Sequence, residues 1–271
     1  MAKAYSATEV VKPVQRSRLA WAISDSLVLI KRSLTHIIRN MDQLLGVAFM
    51  PIMFTLLFRY VFGGAINTGG VSYVNFLIAG ILVQSAGFGA TTTAIAITMD
   101  MKRGLIDRLR SLPTMTSAVL VGHTVSDLVR NTISSIIMIL VGLAVGFRPT
   151  ANIWEWLLAL GMLLLFTFAM SWLSVIMGLI AKTQEAVQWL TFVFIFPLTF
   201  ASSAFVPTAG MPRYLRAFAE NQPVTHVVES IRAWLVGTPI GNHGWLALIW
   251  CAGILVVSTA VASHMFRHRG R

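Results

Sequence analysis

Six stretches of this chain can each be read as a helix crossing a lipid bilayer, and that repetition constrains the fold more than any other feature. A bilayer core takes about 20 mostly apolar residues of helix. Residues 44–62, 73–99, 154–181, 187–206 and 245–266 meet that demand. A further helix is expected to start after Pro113, near Thr116, and to run to Gly146, with Ile133–Phe147 as its strongly apolar part. Of the 271 residues 56% are apolar and 11% are charged, against about a quarter charged in soluble domains. So few charges cannot cover a globular surface of this size, whereas a lipid surface needs no such cover. The expected fold is an all-α integral membrane protein of six transmembrane helices. Residues 1–43 form a cytoplasmic leader, and 44–271 the transmembrane domain.

The net charge of +11 takes its meaning from where the basic residues fall. With the N-terminus inside, segments 1–43, 100–116, Lys182 and 267–271 together hold fifteen Lys/Arg. The outer side receives five: Arg59, Arg148, Arg213, Arg216 and Arg232. That is a positive-inside bias, so both termini are expected in the cytoplasm, on a multi-pass protein of the cell membrane. Basic residues placed this way set topology and imply no nucleic-acid partner. The leader shows no compact signal ending in a small-residue cleavage site and is expected to stay on the mature protein. Within 17–41, Ile23, Leu27, Ile30, Leu34, Ile37 and Met41 recur at spacings of four and three. Asp25, Arg32, His36 and Arg39 lie on the opposite face. A basic amphipathic helix before a first span reads as one lying in the interface; the alternative is a cytosolic helix packed on a partner.

Several chemistries find no footing. No glycine precedes a lysine, so a P-loop is impossible and ATP must be hydrolysed elsewhere. Neither HExxH nor GxSxG occurs. The single cysteine, Cys251, lies in an apolar run, which fits packing and excludes an internal disulfide. His264 and His268 share i, i+4 spacing but sit in the basic tail, a poor place for a metal site. No metal, catalytic residue or cofactor is expected on this chain, which is not expected to be an enzyme by itself.

The polar joint Asp100–Pro113 links two spans on the inner side. Leu105, Ile106 and Leu109 form a short apolar strip among Lys102, Arg103, Arg108 and Arg110. Pro113 stops any helix there. The spacing fits either a short amphipathic helix that receives a push from a cytosolic partner or an ordinary positive-inside loop. Asp127 and Arg130 make an i, i+3 pair inside a span, where charges are paired or functional. Glu229 and Arg232 repeat that spacing in 207–235, a segment broken at Pro207, Pro212 and Pro223. Broken backbone at membrane depth needs shielding by protein or a wet cavity. Asn75, Gln84, Ser85, Thr91, Thr92 and Thr93 give the second span a weakly polar stripe, and Thr191, Thr199, Ser202 and Ser203 do so for the fifth. Neither stripe carries a charge, which suits a large apolar or amphipathic cargo better than an ion. Small hydroxylated residues also let membrane helices pack closely, and the GxxxG spacing of Gly142 and Gly146 is read in that way.

The run Lys102-Arg103-Gly104-Leu105-Ile106-Asp107-Arg108-Leu109-Arg110-Ser111-Leu112-Pro113 and the later Asp127-Leu128-Val129-Arg130-Asn131 resemble the type-2 ABC exporter permeases, nearest to their DrrB-like drug-resistance branch. A second matching stretch runs from Asn221 to Arg232, with Gly237 after it. The family often has Glu where Asp100 stands, which keeps the charge.

The resemblance implies six helices per subunit, an amphipathic interface helix first, and short re-entrant helices before the last span. It implies a homo- or heterodimer with a second permease subunit and two copies of an ABC ATPase that hold ATP and Mg. It makes 100–113 the coupling segment, with Asp100, Lys102, Arg103, Gly104, Leu105, Asp107, Arg108, Leu109, Arg110 and Pro113 as candidate contacts to the ATPase. On that frame, Asn75, Gln84, Ser85, Thr92, Thr199 and Ser202 are candidates for the substrate pathway. Pro223, Glu229 and Arg232 are candidates for an outer gate or a structural pair. The expected function is ATP-driven export of a drug or lipid out of the cytoplasm or inner leaflet. Export of a lipid-linked glycan is the alternative within the family. A proton-coupled secondary transporter, which would show internal repeats and midplane carboxylates, is the alternative outside it, with Asp127 as its one hint.

Overall fold

A computed structural model describes residues 41–66, 68, 70–104 and 117–268, and all regular structure among them is helical. Helix α1 (Met41–Leu57) runs on into a π-helical turn at Phe58–Phe62. Then come α2 (Tyr73–Gly89), α3 (Thr91–Lys102), α4 (Ser117–Val145), α5 (Ile153–Ile180) and α6 (Gln184–Phe200). A 3₁₀ turn at Thr208–Gly210 leads to α7 (Arg213–Asn221), α8 (Pro223–Val236) and α9 (His243–His268). Among the described residues, four stretches are long and apolar enough to cross a membrane: Tyr73–Lys102, Leu120–Val145, Ile153–Ile180 and His243–Phe266. Phe49–Phe62 is a shorter apolar helix, and α6, at 17 residues, is also short. The interface helix expected over 17–41 falls outside the described residues, apart from Met41 at the start of α1.

Two expected spans are built differently from their hydropathy. The second crosses as one stretch, Tyr73–Lys102, with a one-residue break between α2 and α3 at Ala90, where three threonines follow in a row. Thr92 Oγ1 donates to the Gly89 carbonyl at 2.8 Å, and the Thr93 amide turns back to Ala90 at 3.1 Å. Such hydroxyls compete with the helical ladder. Hydropathy carries the fifth span to 206, with Pro207 as its stop, yet α6 ends at Phe200. The Ser202 hydroxyl donates to the Thr199 carbonyl and accepts from the Ala204 amide at 3.0 Å. The Ser203 amide leaves for Thr225 Oγ1 at 3.3 Å, so side chains end this helix before proline can.

Helix α2 is the axis of the molecule, with Leu77, Ile78, Ile81 and Leu82 buried by its neighbours. Helix association in lipid gains little from the hydrophobic effect, so close backbone approach matters more. A Cβ on Gly80 would stand 2.1 Å from the Ala204 carbonyl oxygen, and one on Gly178 2.5 Å from that of Ala94. Gly142 meets Ile78 in the same way, with 2.8 Å to its Cδ1. Gly146 does not share that groove, because at φ +109° it lies just past the end of α4. Cys251 is buried in the core.

Caps fix where the helices begin. Asn152 Oδ1 accepts from the amides of Trp154 and Glu155, and Glu155 Oε2 accepts from the Asn152 amide at 2.7 Å. This capping box satisfies amides that α5 would otherwise leave unpaired. Gln222 caps α8 by accepting from the Val224 amide at 2.9 Å, with Pro223 next in the first turn. The segment 207–235 thus folds as a 3₁₀ turn and two short helices, and α8, at 14 residues, is too short to span.

Candidate functional site

A cleft of about 390 Å³ opens between α1, the α2–α3 axis and α6. Its wall on α6 is a ladder of Phe192, Phe196 and Phe200, spaced four apart so that all three fall on one helical face. Ring centroids are 4.8 Å apart for the first pair and 4.2 Å for the second. Helix α1 adds Met50, Pro51 and Phe54, and the Phe54 ring meets Phe200 edge-on at 6.2 Å. The facing wall carries Gln84, Ser85, Phe88, Gly89 and Thr92. The site is therefore aromatic along α6 and α1, and its facing wall sets an amide and two hydroxyls beside Phe88. Among the described residues, no charged one lines it. Such a space takes a flat apolar body by ring stacking and orients it through a few polar groups.

The candidate pathway residues divide. Gln84, Ser85 and Thr92 line the cleft, while the other three bond to backbone elsewhere. Asn75 brackets Arg148, donating to its carbonyl at 3.2 Å and accepting from its amide at 2.9 Å. Thr199 is buried and donates to the Ile195 carbonyl at 2.8 Å. Ser202 closes the end of α6 as described above. Reading the hydroxyls alone missed the phenylalanine ladder, whose signal was a repeat of four along residues 192–200.

Behind the Thr92 wall lies a buried ionic cluster. Arg130 donates to both Thr92 Oγ1 and Asp127 Oδ1. Asn131 Nδ2 adds a bond to the same Asp127 oxygen at 3.0 Å. The hydroxyls of Thr93 and Ser171 face this carboxylate. Nearer the end of α3, Asp100 Oδ2 meets His123 Nε2 at 2.8 Å.

Of the coupling candidates, Asp100, Lys102, Arg103 and Gly104 are described. Lys102 and Arg103 are exposed at the C-terminus of α3, where positive charge suits the helix dipole. Gly104 has φ +63°, a conformation that favours glycine. Leu105, Asp107, Arg108, Leu109, Arg110 and Pro113 lie outside the described residues.

The third group sits at the opposite end of α2. Arg232 is almost wholly buried on α8 and is fully employed. It donates to the Phe76 carbonyl at 3.1 Å, to Glu229 Oε1 at 2.5 Å and to the Ser203 carbonyl at 2.7 Å. A side chain so bonded ties α8, α2 and the turn after α6 together. Pro223 serves the start of α8. Close by, His226 and His243 face each other with their Nδ1 atoms 3.0 Å apart. Burial, and then the nearby His243, push the His226 pKa below the ordinary imidazole value. Among the described residues, no group of three or more His, Cys, Asp or Glu is placed to hold a metal ion.

Curated proteins similar over most of this chain include ABC transporter permeases. The daunorubicin resistance ABC transporter permease protein DrrB1 of Streptomyces coeruleorubidus is 28% identical over 260 residues, covering 96% of this chain and 92% of its own. A probable doxorubicin resistance ABC transporter permease protein, DrrC of Mycobacterium tuberculosis, is 23% identical over 87% of this chain and 85% of its own. Nodulation protein J of Sinorhizobium fredii is 27% identical over 69% of this chain. The family of ABC-2 type transporters matches residues 25–236, and the chain belongs to that family of membrane permeases.

Proposed function

We propose that this chain is the transmembrane subunit of an ATP-driven exporter that moves a hydrophobic or amphipathic molecule, drug or lipid, out of the cytoplasm or inner leaflet. The observation that carries the reading is the uncharged cleft, with the phenylalanine ladder on one wall and Gln84, Ser85 and Thr92 on the other. An ion finds no counter-charge there, whereas an aromatic amphiphile finds both stacking and hydrogen bonds. The drug-resistance relatives support the same class of cargo.

On this reading α1 and α6 complete a set of six spans, with both termini in the cytoplasm. The basic bias supports that orientation. Exposed Trp154 and Trp245 near the starts of α5 and α9 support an interface at those helix ends, since such rings favour either membrane surface. ATP and Mg belong to a separate ABC ATPase, present in two copies, which docks on segment 100–113 through Asp107, Arg108 and Leu109. A second permease subunit, identical or not, covers the exposed apolar face of α6 that includes Trp189 and Val193.

The test is doxorubicin retention in cells that express this chain with its ATPase. Lower retention than in cells expressing either subunit alone supports the reading. Equal retention in all three, for doxorubicin and for a panel of other aromatic amphiphiles, overturns it.

A further inference from the structure

Helices α3 and α4 flank the coupling segment, one leading into it and the other leading out. They meet along a line of polar contacts that the cleft alone does not explain. His123, Asp127, Arg130 and Asn131 fall at i, i+4, i+7 and i+8, one face of α4. Their partners run the opposite way, from Asp100 to Thr92 on α3 and on to Gly89 at the end of α2. Asp100 meets His123 near the end of α3. Two turns on, Arg130 and Asp127 hold Thr92. Another turn up, Gly89 touches Asn131 so closely that a Cβ would stand 2.2 Å from its Oδ1. Thr92 and Gly89 are also cleft wall. One face of α4 therefore reaches from the foot of the coupling segment to the candidate binding surface.

Apolar contacts between helices slide, while buried polar ones hold a register because each group must keep a partner. Asp127 and Asn131 are buried, and Arg130 and Asn131 both donate to the same Asp127 oxygen. The Thr93 and Ser171 hydroxyls lie opposite the carboxylate. The carboxylate thus faces groups on α3, α4 and α5, so a shift of α4 along its neighbours exchanges one partner for another.

We propose that the His123–Asp127–Arg130–Asn131 face of α4 is the element that transmits displacement of the coupling segment to the cleft wall, so that His123 and Asp127 are positioning residues for transport. This rests on the exporter reading above.

The test uses the full permease–ATPase complex in lipid nanodiscs, with Cys251→Ala and a spin label on Met50→Cys, an exposed position on α1 that lines the cleft. In the labelled parent, ATP with vanadate is expected to change the label's mobility. His123→Asn and Asp127→Asn are expected to cut that response about fivefold or more, with ATP hydrolysis within about twofold of the parent. His123→Asn alters a partly exposed site, so it reports even if Asp127→Asn does not fold. Exchanging the first pair, as Asp100→His with His123→Asp, is expected to restore the response, which a general loss of packing would not allow. A full response in both single variants overturns the proposal and leaves the exporter reading intact. No response in the labelled parent overturns both.

Discussion

Arg232 and Phe76 meet twice: the guanidinium carbon stands 3.6 Å above the ring centroid, while Nε donates to the carbonyl of the same residue. Two further bonds, to Glu229 and the Ser203 carbonyl, occupy the rest of the fork. Arg232→Leu should therefore destabilise the protein by about 3–5 kcal/mol, because it strands a partly buried carboxylate and two carbonyls. Arg232→Lys should recover little, since a point charge cannot serve three directions. Thermal unfolding of the detergent-purified chain measures both. Lysine behaving like arginine would mean that charge alone matters at this position.

Close helix approach predicts a contrast between two glycines. Gly80→Ala must push the backbone at Ala204 away from α2 and should lower stability sharply. A Cβ added at Gly161 would meet nothing within 4 Å, so Gly161→Ala should be neutral or stabilising by up to about 1 kcal/mol. Melting temperatures of the pair separate the two effects.

Gln84 and Thr199 differ in the same way. Gln84→Leu removes a polar group from the cleft and should shift the order in which aromatic amphiphiles stimulate ATP hydrolysis. Thr199→Leu removes a bond inside α6 and should lower stability without changing that order. A reordering by Thr199→Leu would place the pathway on the other side of α6.

The histidine pair predicts a pH dependence. The lowered His226 pKa means that the unfolded chain takes up its proton first as pH falls. Stability is full above the ordinary imidazole value of about 6.5 and declines as pH drops from there through the lowered value. The Glu220 carboxylate, held by Arg216 at 2.7 Å, lies near His243. His226→Asn should flatten the slope of melting temperature below about pH 6.5. An unchanged slope would assign it to another group.

Much of this was legible in the sequence because hydropathy reports on lipid directly. Span positions at Tyr73, Ile153 and His243, and the broken segment after Pro207, all follow from runs and prolines. The ends of α2 and α6 did not, because hydroxyls at Thr92 and Ser202 act locally inside runs that remain apolar. Asp127–Arg130 and Glu229–Arg232 were readable as pairs from their spacing. That Arg232 also holds Phe76 and Ser203 depends on contacts across 156 and 29 residues, which no local pattern records. The phenylalanine ladder was present as a repeat but was indistinguishable from lipid-facing surface until α1 was seen opposite it.

Arg108 lies in the segment proposed to meet the ATPase. Arg108→Glu should leave membrane insertion intact while ending transport, checked by membrane fractionation beside efflux. Normal efflux from that variant would remove Arg108 from the contact.

Doxorubicin accumulation in proteoliposomes that hold this chain with its ATPase, assayed with and without ATP, tests the half-exporter claim most directly. Accumulation that requires both subunits and hydrolysable ATP is the expected result. Accumulation by this chain alone, driven by a proton gradient, would contradict it.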